Sequence, residues 1–98
     1  MIIVSGIATL KPGAAKSLKD KMTAMITASR AERGCIDYRY GFDVLAPDQI
    51  VVLEYWDSWA ALAAHFQMPH MAIWREALSG VILSRDIKAI EAGEAKDI

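Results

Sequence analysis

The run from Ile50 to Trp56, IVVLEYW, constrains this chain more than any other stretch. Side chains of a strand point alternately to opposite faces. One set here is Ile50, Val52, Glu54 and Trp56, and the other is Val51, Leu53 and Tyr55. Both sets are largely apolar, so a sheet containing this strand needs a cover on each side. The chain has 98 residues, of which 54% are apolar, and a monomer of that length buries only about two-thirds of its unfolded surface. Apolar surface in excess of what one small core can hide points to a second copy of the chain as one of the covers, with the same patch buried on both partners about a two-fold axis. A homodimer with its sheets face to face is the expectation.

The rest of the chain supplies the partners of that strand. Met1 to Leu10 is β-branched and apolar without a helical period, and Lys11-Pro12-Gly13 stops it, so it reads as a strand. Between Ala14 and Arg33 the residues Leu18, Met22, Met25 and Ile26 form one helical stripe, and Gly34 is placed to end that helix. Cys35 to Val44 reads as a strand, with Ile36, Tyr38, Tyr40 and Phe42 on one face and Cys35, Asp37, Arg39 and Gly41 on the other. Ala46-Pro47-Asp48 makes the turn into the strand from Gln49 to Trp56. Asp57 or Ser58 caps a short helix to Gln67, Pro69 begins a second helical segment to about Leu78, and Gly80 ends it. Val81 to Ala89 is a last strand, and residues 91–98 form a polar tail. This order predicts one α+β domain over residues 1–98: a ferredoxin-like βαββαβ fold, with a four-stranded antiparallel sheet carrying its helices on one face.

Composition removes several classes of partner. The net charge is −1 with both signs interspersed, so nothing resembles the basic footprint of a nucleic-acid or anionic-membrane binder. The lone Cys35 excludes an intrachain disulfide and fits a reducing, cytoplasmic setting, where it reads as a small buried residue. No basic leader precedes the first strand, and no apolar run approaches the ~20 residues of a membrane span.

Chemistry concentrates between Glu54 and Trp74, a stretch holding all three Trp, both His, Phe66 and Tyr55. Rings of that size make cores as readily as binding sites. Imidazole adds a group that exchanges a proton near neutral pH. As a metal site the stretch is weak. His65 and His70, five residues apart, point in different directions on a continuous helix, and no Cys or carboxylate cluster completes a ligand set.

Taken in order, Glu32-Arg33-Gly34-Cys35-Ile36-Asp37-Tyr38, then Glu54-Tyr55-Trp56-Asp57-Ser58, then His65 and Met68-Pro69-His70 resemble the antibiotic biosynthesis monooxygenase domain family. The likeness covers nearly the whole chain, from Ile3 to about Ile90. It implies a dimeric α/β barrel of two ferredoxin-like units and, for some members, oxidation of phenols or quinols by O₂ without a cofactor. In such enzymes the substrate supplies the electrons, and the protein binds it, deprotonates it and excludes water. The resemblance implies His65 as base, with His70 as second candidate and Tyr38 as a hydrogen-bond donor. Trp56, Trp74, Glu54 and Phe66 then form the substrate site, with no cofactor and no metal. A small aromatic molecule, O₂ and a second copy of the chain are the partners.

Other readings stand beside this one. His65 can be a structural histidine bonded to a carboxylate such as Glu54. Trp59 reads as core or interface, and Tyr38 and Glu54 can tie a dimer together. The family also includes an isomerase and haem-degrading enzymes. The latter use an Asn on the first strand, and this chain has no Asn; their proximal ligand position falls near Arg75. A non-catalytic small-molecule binder would share every feature named.

Overall fold

The computed structural model describes residues 1–98. Its elements run β1 (Ile2–Leu10), α1 (Ala14–Ser17), α2 (Lys19–Arg30), β2 (Cys35–Phe42), β3 (Gln49–Trp56), α3 (Trp59–Phe66), α4 (Pro69–Leu78) and β4 (Ile82–Glu91). The sheet is antiparallel throughout, in the order β2-β3-β1-β4. This is the ferredoxin-like arrangement that the element order predicts.

The register shows why the helices lie on one side. Val4 pairs with Glu54, Ala8 with Ile50 and Ile2 with Trp56, and all six are buried. Leu18, Met22 and Met25 of the helical stripe cover this face, joined by Leu62 of α3 and by Met71 and Trp74 of α4. The opposite face carries Ile3, Ile7, Val51, Leu53 and Tyr55. No helix covers it, and Val51 remains 39% exposed. No helix is long and apolar enough to cross a membrane.

Two sequence expectations change. The segment from Ala14 to Arg33 is not one helix: it breaks at Leu18, whose φ of −92° and ψ of 3° leave the helical region, and α2 stops at Arg30. Two tight turns, Ala31 N–H to Ala28 O and Glu32 N–H to Ser29 O, unwind the chain before Gly34. Along β2 the pairing slips between Cys35 and Asp37. A bulge of this kind puts an extra residue into one strand, so Cys35 sits opposite Trp56 on the core side while Ile36 is 56% exposed. Trp59, read as core or interface, is half exposed and lies outside the core.

Gly34 fixes the junction that matters for the site. Its φ is +87°, a left-handed conformation that favours glycine. A Cβ there would stand 2.6 Å from the Ala61 Cβ and 2.8 Å from Asp57 Oδ1. Its carbonyl accepts from Asp57 N–H at 2.9 Å. The loop after α2 is thereby pressed against the start of α3, and Glu32 is carried in beneath that helix.

Candidate active site

Leu62 and His65, one helical turn apart on α3, both face the sheet and are buried. Ser58 caps the helix, its hydroxyl accepting from Ala61 N–H at 3.1 Å. Met68 is extended, with φ −70° and ψ 144°, and Pro69 then opens α4. The break turns His70 back toward His65, and their ring centroids are 6.0 Å apart. Both imidazoles meet the same oxygen of Glu32: His65 Nδ1 at 2.6 Å and His70 Nε2 at 2.7 Å. The expectation that the two histidines diverge with no carboxylate to complete a cluster is therefore corrected. The carboxylate comes from the α2–β2 loop, far away in sequence.

A carboxylate only accepts hydrogen bonds, so both imidazole nitrogens donate to it. That assigns the His65 tautomer: Nδ1 carries the proton and Nε2 is free to accept. Burial holds the His65 imidazole below its ordinary value despite the pull of Glu32, and His70 and Arg75 push the same way. A neutral imidazole with a defined basic nitrogen results. The Tyr38 hydroxyl approaches Nε2 at 3.4 Å and lies 3.2 Å from the Tyr40 hydroxyl. The first contact is long for a hydrogen bond, so Nε2 can take a shorter partner.

Glu32, His65 and His70 are also the residues that could hold a metal, since their ligand atoms lie within 4.8 Å of one another. Ligands about 2.1 Å from a tetrahedral ion are separated by roughly 3.4 Å. The carboxylate–imidazole distances of 2.6 and 2.7 Å are shorter than that and match charge-assisted hydrogen bonds. The cluster closes on itself as a triad.

Glu54 is buried on the sheet's core face with no cation beside it. Trp56 Nε1–H donates to its Oε1 at 2.9 Å. Burial pushes its carboxyl up to about 7, opposed by the hydrogen bond from Trp56 and reinforced by the charge of Glu32. Burial likewise pushes the Tyr40 hydroxyl up to about 12 and the Tyr38 hydroxyl higher than its usual range. Both phenols stay protonated and act as neutral hydrogen-bond groups.

These groups meet at a cavity of about 450 Å³ between the sheet and α4, within the usual ~300–1,000 Å³ of small-molecule sites. His65, Glu54, Tyr40, Trp74 and Phe66 line it. Two residues expected at its surface do not reach it. Trp56 is fully buried behind His65, with ring centroids 4.6 Å apart, and Tyr38 is fully buried between Trp56 and Tyr40. His70 connects to the cavity only through Glu32 and His65. Tyr40 and Arg75 line it without having been singled out from sequence. Glu32 was visible only as one residue of a motif.

The family model described as antibiotic biosynthesis monooxygenase matches residues 1–77. The Escherichia coli (strain K12) protein named "Probable quinol monooxygenase YgiN" is 33% identical over 86 residues, covering 80% of this chain and 83% of that protein. The crystal structure of a "putative antibiotic biosynthesis monooxygenase" from Deinococcus radiodurans superposes with a TM-score of 0.90 at 29% identity, covering 100% of this chain and 98% of its own. Rv0793 from Mycobacterium tuberculosis shares the fold, with a TM-score of 0.86 at 24% identity over 98% of both chains. The sequence and structural likenesses together support a monooxygenase-type function. The chain belongs to the antibiotic biosynthesis monooxygenase family.

Proposed function

We propose that the protein oxidises a small aromatic phenol or quinol with O₂ and without a cofactor, with His65 as the base. The observation that carries this reading is a neutral, tautomer-fixed imidazole at the wall of an apolar cavity large enough for a ring system. His65 Nε2 takes the proton of the substrate hydroxyl, and Glu32 stabilises the imidazolium that forms. The resulting phenolate is electron-rich and passes an electron to O₂. Recombination forms a C–O bond, and loss of water leaves the product. For a quinol the balance is quinol plus O₂ giving hydroxyquinone plus water: the substrate supplies all four electrons, and no external reductant enters.

Other residues set the conditions. Trp74 and Phe66 offer faces on which a planar ring can stack, and Tyr40 offers a hydroxyl. Met71, Ile50 and Val52 keep the interior dry. Trp56 and Tyr38 hold His65 from behind, so their part in this reading is positioning. A second copy of the chain covers Ile3, Ile7, Val51, Leu53 and Tyr55, giving the dimeric barrel.

Oxygen uptake by metal-free protein with a panel of hydroquinones and anthrones, corrected for autoxidation, tests the proposal. The expected result is turnover that His65→Ala lowers by about 10²–10⁴-fold, the range for loss of a general base. Turnover unchanged by that substitution would remove the base from the mechanism. Binding without oxygen uptake would favour the non-catalytic reading.

A further inference from the structure

The cavity is asymmetric in charge. Glu54 is its sole acidic wall residue; Arg85 lies toward its other end, and Arg75 lines the same cavity close enough to His65 for its charge to act on that imidazole. Glu54 pairs with Val4 and Arg85 with Ala8. Four residues of strand separate those levels by about 13 Å. A second hollow, of about 420 Å³, shares Arg75, Leu78, Ile82 and Arg85 with the first and continues outward past Ser79 and Ser84. The two arginines therefore stand where the interior opens to solvent.

Their positions are unusual for surface arginines. Arg75 belongs to the Met71, Trp74, Leu78 stripe of α4, the stripe that lines the cavity, where helical periodicity calls for an apolar residue. Arg85 shares its face of β4 with Ile87 and Ala89, since their partners Ala8, Gly6 and Val4 lie on the core side of β1. Lys88, by contrast, is spent on an ion pair with Asp86. Neither arginine has a carboxylate within ion-pair distance, because the four pairs in the structure involve Asp37, Glu32 and Asp86 only. Neither guanidinium donates a side-chain hydrogen bond to the protein. Each offers five N–H donors in a planar fork matched to a carboxylate or similar anion.

We propose that Arg75 and Arg85 form an anion clamp at the cavity mouth, so that the ligand is an aromatic phenol or quinol bearing a carboxylate-type group at the end opposite its reacting hydroxyl. This rests on the reading of the cavity as the oxidation site and names the substrate class for it. The hydroxyl lies inward at His65, the ring lies against Trp74, and the anion meets the two guanidiniums. The clamp also fixes which end of the ligand enters, which an apolar cavity with one basic nitrogen would not do.

Equilibrium binding under argon, read by tryptophan quenching, compares 6-hydroxy-2-naphthoate with 2-naphthol on the full chain. The acid is expected to bind at least about tenfold more tightly, as charge-assisted pairing with two guanidiniums implies. The double variant Arg75→Gln/Arg85→Gln should lose that preference, so that the acid binds no more tightly than 2-naphthol to the same variant. Raising salt from 50 to 500 mM should weaken the acid alone, and this arm needs only the wild-type protein. Equal affinities, no binding of either compound at millimolar concentration, a preference that survives in the double variant, or no effect of salt would each overturn the clamp. Oxygen uptake is scored separately: intact preference without turnover would contradict the oxidation reading and leave the clamp standing.

Discussion

Glu54→Gln isolates the least comfortable charge in the molecule. In the folded chain the Glu54 carboxyl is pushed up to about 7 from an ordinary 4.5, chiefly by burial. Between those two values the folded state holds a proton that the unfolded state has released, so stability falls as pH rises through the window and stays low above it. The difference of about 2.5 pH units corresponds to roughly 3 kcal/mol once both forms are ionised, and to roughly 1 kcal/mol at pH 5. Glutamine keeps the shape and a carbonyl oxygen for the Trp56 Nε1–H bond, and it never ionises. The variant should therefore gain on wild type between pH 5 and pH 9 by about 2–3 kcal/mol. Urea unfolding at both pH values and one protein concentration measures this, since the ordinary shift of His65 is common to both proteins and cancels. A stability difference that does not change with pH, or one that grows toward acid, would refute the account of Glu54 as a desolvated carboxyl.

Three further outcomes follow from the triad and the sheet. The His65 imidazole is held below its ordinary value, so the acid limb of the pH–rate profile should fall below pH ~6.5; a limb near 7 would instead implicate Glu54. Glu32→Gln removes the charge that supports the imidazolium and loosens the tautomer, and it should lower kcat by at least about tenfold with little change in KM; loss in KM alone would mean that Glu32 serves binding. Val51→Lys puts a charge at the centre of the uncovered face, so sedimentation at micromolar concentration should show a dimer for wild type and a folded monomer for the variant, whereas a wild-type monomer would contradict pairing through that face.

Much of the fold was legible because β3 is largely apolar on both faces and so calls for a cover on each. Its two-residue alternation sorts Ile50, Val52, Glu54 and Trp56 from Val51, Leu53 and Tyr55, but both sets are largely apolar and only the packing shows that the helices cover the first. Pro69 likewise announced the break between α3 and α4. The β2 bulge was not legible, since Ile36 and Cys35 are both apolar and alternation cannot show where one residue is skipped. Glu32 was hidden for a different reason. Its role comes from the loop after α2 being pressed onto α3 at Gly34, a contact between segments about thirty residues apart that no local period encodes. Trp56 and Trp74 were equivalent as large rings, and only packing decides that one backs the imidazole while the other faces the cavity. Arg75 carries a readable signal, a charge on an apolar helical stripe.

Oxygen-18 labelling distinguishes oxygenation at His65 from simple oxidation of the quinol. Metal-free protein and 1,4-naphthohydroquinone are incubated under oxygen-18 gas, and the product is quenched promptly and weighed by mass spectrometry. Cofactor-free oxygenation predicts a hydroxynaphthoquinone carrying one labelled oxygen, at a rate that collapses in His65→Ala. Unlabelled naphthoquinone as the only product, formed equally fast by wild type and variant, would contradict it.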